Sequence, residues 1–340
     1  MWGMVHNHSV IPHYTFAMLR NGYEPFPASI KKNFGEMNMN KSYVPGTELR
    51  NPASLHIDEV STEKMLGIIN NEDKKVAIAI EENIPQIAKA VDAAENAIRQ
   101  GGRVIYMGCG TSGRIGVLDA SECPPTYNVP ESWFMGIIAG GHGALVKSSE
   151  SMEDSEELGV TDLKNIHFTN KDLLIGIAAS GRTPYVIGGL NYANALGAKT
   201  VCVVCSSNSP MAEVSKIAIA INVGPEAITG STRMKAGTAQ KMVLNMISTG
   251  TMVRLGKVYG NLMVDLRPSN SKLIVRAQRI ICEVVDCTME QAADVLAQSG
   301  NNVKVAIIML KEGLDRSTAE KRLEENNGVL KHVIGNSYLC

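Results

Sequence analysis

The stretch Arg103-Val-Ile-Tyr-Met-Gly-Cys-Gly-Thr-Ser-Gly113 decides the fold class of this chain. Residues 103–107 are a short apolar run typical of a buried strand, and the loop 108–113 leads into a helical segment that continues through Leu118. The same succession of strand, loop and helix recurs downstream. The further predicted strands cover residues 133–138, 172–178, 200–205 and 217–223. Strands that alternate with helices in this way predict a mostly parallel sheet with helices on both faces, in the α/β class.

Two loops of this predicted sheet are rich in glycine and hydroxyl groups. The loop 108–113 offers a G-x-G-x-x-G pattern, but no acidic residue at the end of the next strand supports a nicotinamide dinucleotide site. Thr111 and Ser112 instead add hydroxyls to the backbone amides of a helix N-terminus, which suits a phosphate monoester. The loop Ser180-Gly181-Arg182-Thr183 repeats this composition after another strand. The two loops predict a phosphate site at the carboxyl edge of the sheet, unless both are ordinary strand-to-helix turns with capping residues.

Glu122 is a candidate general acid downstream of the first loop. It precedes Pro124 and Pro125, which predict a rigid, non-helical segment. A carboxyl held beside a ligand pocket can have its pKa raised by partial burial and can then donate a proton. The alternative is a solvated loop glutamate.

Further charged candidates lie in two other segments. A predicted helix over residues 144–158 is rich in acids, and its spacing alone cannot choose the functional carboxylate among Glu150, Glu153 and Asp154. The hydroxyl-rich segment 229–238 surrounds a predicted helix start and carries Arg233 and Lys235. Either cation could neutralise a phosphate or a carboxylate, and the alternative is simple helix capping. No metal-ligand spacing is present.

The regions before and after the predicted sheet differ in character. Residues 1–44 show no helical or strand periodicity and predict an irregular extension. Helical spacing covers 58–70 and 73–99, where Pro85 predicts a break or kink. From about residue 232 the chain becomes mainly helical. The predicted segments are 232–255, 273–285, 289–297, 302–311 and 317–325, and they place a small helical domain over 270–340 after the α/β domain over 45–269.

Composition and charge exclude several classes of protein. The chain has 340 residues with 33 basic and 34 acidic side chains, so its formal net charge of −1 does not attract nucleic acid or an anionic membrane. No apolar run is long enough to cross a bilayer. Seven scattered cysteines argue against a disulfide framework and predict a reducing, cytoplasmic location.

Four motifs together resemble the N-acetylmuramic acid 6-phosphate etherase family, in the family's order and over about residues 49–333. They are Gly110-Thr-Ser-Gly-Arg114, Leu118-Asp-Ala-Ser-Glu-Cys-Pro-Pro-Thr126, Ala179-Ser-Gly-Arg-Thr-Pro184 and Gly230-Ser-Thr-Arg-Met-Lys-Ala-Gly-Thr-Ala-Gln-Lys241. The resemblance implies a sugar isomerase domain, which is a flavodoxin-like three-layer α/β sandwich, followed by a small helical domain. It also implies a homodimer that uses no metal or organic cofactor.

The resemblance implies a reaction and assigns residues to it. The family cleaves the ether between D-lactate and C3 of N-acetylmuramic acid 6-phosphate by eliminating lactate and then adding water. Glu122 matches the family's acid that protonates lactate, and Glu153 matches its second carboxylate, which is expected to be the C2 base. The positions that match phosphate contacts are Ser112, Ser180 and Thr183, with Thr111 and Gly181 beside them. Arg233 or Lys235 is a further candidate substrate contact.

Three alternatives remain at this stage. The first is a phosphosugar isomerase on the same fold, which would also need a carboxylate base. A non-catalytic phosphosugar-binding regulator, such as the glucokinase regulatory protein, is the second, although that protein carries two such domains. A nicotinamide-dependent dehydrogenase is the third.

Overall fold

Five parallel strands form one sheet in the order β2-β1-β3-β4-β5. The computed structural model describes residues 46–147, 152–268 and 270–335. The strands are β1 (Val104–Gly108), β2 (Phe134–Ile138), β3 (Leu173–Ala178), β4 (Lys199–Val204) and β5 (Ile217–Ala220). Each strand starts within one residue of its predicted start, and the strand order is the flavodoxin-like one. The predicted fold class is therefore confirmed.

Seven helices cover the two faces of this sheet. They are α1 (Thr62–Glu81), α2 (Ile84–Arg99), α3 (Gly110–Tyr127), α4 (Glu156–Asn165), α5 (Pro184–Ala195), α6 (Pro210–Val214) and α7 (Lys235–Arg254). Alternate side chains of a strand enter different cores: Val104 and Tyr106 pack with α1, α2, α3 and α7, whereas Ile105 and Met107 pack with α4, α5 and α6. Burial on both faces explains why the strands are continuously apolar.

The point where the chain changes direction across the sheet lies between β1 and β3. These two strands are neighbours, and the helix that follows β1 packs on one face while the helix that follows β3 packs on the other. The loops after the two strands therefore diverge, which leaves a crevice at their carboxyl ends. The two hydroxyl-rich loops lie at this crevice.

A second helical cluster follows the sheet. Its helices are α8 (Ser271–Val285), α9 (Met289–Gln298), α10 (Val303–Glu312), α11 (Arg316–Glu325) and α12 (Leu330–Ile334). Its buried core already begins at Tyr259. Thr288 and Gln291 form a capping box at the start of α9. The boundary at 269/270 stays a prediction, and the predicted extension 1–44 lies outside the described residues.

The first two helices divide at the break predicted for Pro85 and not at the predicted gap between residues 70 and 73. No break occurs near residue 71, because Val76 and Ile80 continue the buried face of α1 and Glu72 is buried with them. The chain restarts as α2 after Asn83, with Pro85 in the first turn. A proline is tolerated there because the first turn needs no backbone donor at that position.

The segment that contains Glu122 is helical, so the predicted non-helical loop is wrong. α3 runs through both Pro124 and Pro125 and ends at Tyr127. Ala120 and Cys123 on the same turns are buried in the core under the sheet. We attribute the continued helix to this burial, which offsets the backbone hydrogen bonds that the two prolines cannot make.

The predicted acidic helix over 144–158 is also wrong in its bounds. Residues 142–145 form a short 3₁₀ turn, and α4 begins only at Glu156. Ser155 is the N-cap, and its hydroxyl accepts a hydrogen bond from the Leu158 amide at 3.1 Å. Glu153 therefore lies in a turn before the helix, and Glu150 lies outside the described residues.

None of the described helices has both the length and the apolar character needed to cross a bilayer.

Candidate active site

A cavity of about 370 Å³ opens at the carboxyl ends of β1 and β3. The loops after both strands line it, together with the turn before α4 and residues that precede α1 and α7. Five predicted site residues contribute to its wall, namely Thr111, Ser112, Glu153, Ser180 and Thr183. The structure thus brings both hydroxyl-rich loops and one predicted catalytic carboxylate to one place.

Glu153 is held at the start of α5 by two hydrogen bonds. The Thr183 hydroxyl donates to Glu153 Oε1 at 2.9 Å, and the Tyr185 amide donates to the Glu153 carbonyl at 3.0 Å. Thr183 is only 5% exposed, so this hydroxyl is sheltered from water. Thr183 was a predicted phosphate contact, but in the structure its hydroxyl orients the Glu153 carboxylate.

The first turn of α3 faces the cavity beside Glu153. Gly110, Thr111 and Ser112 all line the wall, so their amides and hydroxyls lie at a helix N-terminus that favours an anion. Close packing fixes this turn, because a Cβ at Gly113 would lie 2.6 Å from the Gly108 carbonyl oxygen. Only glycine permits this approach of α3 to β1.

The N-terminus of α7 is already occupied by a protein carboxylate. Glu226 is fully buried and accepts hydrogen bonds from the amides of Lys235 and Ala236 at 3.0 and 2.9 Å. Burial raises the pKa of Glu226, and these backbone donors partly offset that effect. These two amides of α7 are therefore not free to bind an external anion.

Lys235 does not face the cavity, contrary to its candidacy as a substrate contact. Its side chain is 2% exposed, and its ammonium lies 2.6 Å from the buried carboxylate of Glu72. Burial alone would raise the pKa of Glu72, but hydrogen bonds from Lys235, Lys75 and Asn51 outweigh it and hold the pKa at about 2. The ammonium of Lys235 is paired with Glu72 because a buried cation needs a counter-charge.

Three other predicted residues lie outside the cavity wall. Arg233 is exposed to solvent. Gly181 is a turn residue with φ of +69°, and a Cβ there would collide with Ser209. Glu122 is exposed on α3, ten residues beyond Ser112, which corresponds to about 15 Å along the helix axis. The structure therefore separates the two predicted catalytic carboxylates within one chain.

Cys109 lines the cavity but is not a reactive thiolate. Burial raises the pKa of its thiol to about 12, with further contributions from the charges of Glu153 and Asp154. The thiol is neutral at physiological pH, so nucleophilic chemistry through sulfur is disfavoured. Among the described residues, no group of three or more His, Cys, Asp or Glu side chains could hold a metal ion.

Sequence reasoning missed several residues of the wall, among them Glu48, Arg114 and Thr232. Arg114 lies within a motif of the first loop, and its guanidinium donates to the carbonyls of Ala144 and Leu145 at 2.8 and 3.0 Å. Thr232 lies in the hydroxyl-rich segment 229–238, so its hydroxyl could have been named as a candidate ligand-binding group from the sequence. Glu48 carried no local signal, because it precedes the sheet by more than fifty residues.

Comparison with known proteins identifies the family. An N-acetylmuramic acid 6-phosphate etherase from Clostridium beijerinckii is 56% identical over 85% of this chain and 95% of its own length. The protein of that name from Photorhabdus laumondii is 51% identical over 85% of this chain and 96% of its own length. This chain belongs to the N-acetylmuramic acid 6-phosphate etherase family. These relatives favour the etherase interpretation over the isomerase and regulator alternatives.

Three domain-family models match the chain, and the first two overlap. Residues 152–249 match the SIS domain, and residues 86–194 match the N-terminal SIS domain of glucokinase regulatory protein. Residues 260–305 match the C-terminal lid domain of that regulator. A solved phosphoheptose isomerase from Neisseria gonorrhoeae superposes with a TM-score of 0.46 and 12% identity, covering 57% of this chain and 100% of that chain.

Proposed function

We propose that this protein cleaves the D-lactyl ether of N-acetylmuramic acid 6-phosphate and releases D-lactate and N-acetylglucosamine 6-phosphate. Membership of the etherase family gives the reaction. The observation that carries the proposal is the position of Glu153, whose carboxylate is hydrogen-bonded to Thr183 in the same cavity as the open N-terminal turn of α3. A proton-transfer group and an anion site in one cavity are what a phosphosugar elimination requires.

The 6-phosphate binds at the α3 end of the cavity. Thr111 and Ser112 provide hydroxyls next to the first-turn amides, and Ser180 provides a third hydroxyl from the opposite loop. The helix dipole adds a favourable interaction with a dianion. Gly181 shapes the turn that presents Ser180, with its carbonyl accepting a hydrogen bond from the Met211 amide at 3.1 Å.

Glu153 acts as the base in the first step. In the open-chain sugar the aldehyde makes the C2 proton acidic, and Glu153 removes it. The resulting electron pair forms the C2–C3 double bond while the C3–oxygen bond breaks, and a general acid protonates the departing lactate oxygen. Water then adds at C3 of the unsaturated aldehyde, and a proton returns to C2. Each general acid or base of this kind contributes about 10²–10⁴ in rate.

Glu122 serves as the acid from a second copy of the chain. Within one chain, Glu122 lies outside the wall of the cavity that Glu153 lines, about 15 Å along α3 from Ser112. Glu122 lies on an exposed face of α3 with Leu118, a large apolar side chain that is 52% exposed. A two-fold pair in which this face of each copy packs against the cavity of the other would place Glu122 at the partner's site. In this proposal the protein acts as a homodimer because each cavity needs the Glu122 of the other copy.

Cofactor and location follow from the chemistry and the cysteines. Elimination and hydration together hydrolyse the ether, with water replacing lactate at C3 and no oxidant or reductant required, so the proposal assigns no cofactor. The thiols of Cys202 and Cys205 are free and buried in and next to β4. Free buried thiols are compatible with a reducing compartment, and the proposal places the protein in the cytoplasm.

The test is product identification with purified protein. Wild-type protein incubated with N-acetylmuramic acid 6-phosphate should release lactate and N-acetylglucosamine 6-phosphate in equal amounts. Glu153→Gln should lower the rate at least 100-fold, whereas its exposed neighbour Asp154→Asn should stay within about three-fold. Aldose–ketose conversion without lactate would instead identify an isomerase, and binding without turnover would identify a regulator.

A further inference from the structure

We propose that Glu48 is a substrate-contacting residue of this cavity and that its carboxylate accepts hydrogen bonds from hydroxyl or amide groups of the sugar. The inference rests on the proposed function, because it names a contact for that function's substrate. Glu48 lines the same wall as Glu153, Ser112 and Ser180. No motif of the family resemblance includes it.

A short 3₁₀ turn, Gly46–Glu48, brings this carboxylate to the cavity. Thr47 is fully buried, so the turn is seated on the protein rather than projecting from it. Glu48 faces the segment before α7, where its Oε2 atom lies 3.1 Å from the position that a Cβ of Gly230 would occupy. Gly230 has φ of +73°, a backbone conformation that favours glycine opposite Glu48.

A buried polar network anchors the chain that follows Glu48 to the opposite wall, while the Glu48 side chain itself is exposed. Asn51 is three residues after Glu48, and its amide donates to the Pro225 carbonyl at 3.0 Å and also bonds Glu72. Glu72 in turn pairs with Lys235, three residues after Thr232 of the wall. Both sides of this part of the cavity are therefore anchored by the same network, which limits the movement of the chain that carries Glu48 relative to Thr232.

The charge of Glu48 selects which part of the substrate it can touch. The substrate has two anionic groups, the phosphate and the lactyl carboxylate, and a carboxylate repels both. The sugar hydroxyls and the acetamido N–H are neutral donors, and a carboxylate accepts their hydrogen bonds strongly. Glu48 therefore fits the sugar ring, while the α3 end of the cavity fits the phosphate.

The experiment compares three ligands in Glu48→Ala and Glu48→Gln, with Glu63→Gln on the exposed first turn of α1 as the matched control. Calorimetry gives the affinity for N-acetylglucosamine 6-phosphate and inhibition kinetics give the affinity for inorganic phosphate. Lactate release gives kcat and KM. We expect Glu48→Ala to lower the affinity for N-acetylglucosamine 6-phosphate and to raise KM, each at least 10-fold. The value of kcat should stay within about three-fold, and the affinity for inorganic phosphate should not change. Glu48→Gln should show a smaller loss, and Glu63→Gln none.

Each contrary outcome has a defined meaning. Sugar-phosphate affinity and KM within two-fold of wild type in Glu48→Ala would overturn the contact. An equal loss of affinity for inorganic phosphate would also overturn the contact, because the effect would then reflect a distorted cavity. A large loss of kcat at unchanged KM would assign Glu48 to proton transfer instead. If wild-type protein released no lactate while sugar-phosphate binding still depended on Glu48, the proposed function would fail and the contact would stand.

Discussion

At the scale of single residues, the environment of Glu153 distinguishes it from the other acids in its segment. Asp154, Glu156 and Glu157 are exposed, whereas Glu153 is partly buried and is tied to α5 through both its side chain and its carbonyl. Sequence spacing treats these acids as equivalent. The hydrogen bond from Thr183 is what selects one carboxylate and fixes its direction.

Thr183→Val should therefore slow turnover with little change in folding. Valine keeps the volume but removes the hydroxyl that donates to Glu153, and Thr183 makes no side-chain cap bond to α5 that would also be lost. A hydrogen bond to a charged group contributes about 1.5–3 kcal/mol, so kcat should fall about 10- to 100-fold. The control is Thr161→Val, because its hydroxyl only donates to the Glu157 carbonyl on the exposed face of α4. Equal kcat values for the two variants would remove Thr183 from the mechanism.

The pKa of Glu72 makes a separate prediction about stability and pH. Its folded-state pKa of about 2 lies below the ordinary value of 4.5. The stabilisation is therefore complete above pH 4.5 and is lost as the pH falls towards 2, and its size is of the order of 3 kcal/mol. Urea unfolding at pH 7, 5 and 3 should show that the difference in unfolding free energy between wild type and Glu72→Gln becomes smaller as the pH falls. A difference that is constant across this range would contradict the charged, paired state of Glu72.

At the scale of elements, the proposed phosphate site depends on the close approach of α3 to β1. Gly113→Ala would place a Cβ 2.6 Å from both the Gly108 carbonyl oxygen and Ile138 Cγ1. Because both contacts lie in strands of the central sheet, α3 itself must shift. We expect a cost of about 1–3 kcal/mol in unfolding free energy and at least a five-fold loss of affinity for inorganic phosphate.

Gly67→Ala is the matched control for that substitution. Gly67 lies within α1, and no heavy atom is within 4 Å of its added Cβ. Alanine there should stabilise the helix by up to about 1 kcal/mol and leave phosphate affinity unchanged. If Gly113→Ala bound phosphate as tightly as Gly67→Ala, the first turn of α3 would not be the phosphate site.

The elements that sequence predicted well are those whose signal is local. Each strand is a short apolar run bounded by glycine or polar residues, and the Thr288 capping box marks the start of α9. The misplaced elements depend on distant contacts. α3 continues through Pro124 because Ala120 and Cys123 are buried, and Glu153 leaves the acidic helix because Tyr185 binds its carbonyl.

Site residues were also predicted well where the signal is local and poorly where it depends on residues distant in sequence. Thr111, Ser112 and Ser180 were predicted from loop composition and line the cavity. Lys235 resembles a phosphate ligand in sequence, but its partner Glu72 is 163 residues away and only the fold reveals it. Glu48 was missed for the same reason.

At the scale of the whole molecule, the position of Glu122 predicts how two inactive variants behave together. If Glu122 and Glu153 act from different copies, a mixed dimer of Glu122→Gln and Glu153→Gln contains one intact site. Co-expressed at equal levels with random pairing, the two variants should recover about a quarter of wild-type activity. Each variant alone should remain inactive. No recovery in mixed dimers would place both carboxylates in one chain or remove Glu122 from the reaction.

Elimination of lactate after removal of the C2 proton is the central claim, and it is tested most directly by turnover in D₂O followed by proton NMR. Wild-type protein should release lactate and form N-acetylglucosamine 6-phosphate that carries deuterium at C2. Glu153→Gln should abolish both signals, whereas Glu122→Gln should lose lactate release and retain exchange at C2. Lactate release by wild type without deuterium at C2 of the product would contradict the account.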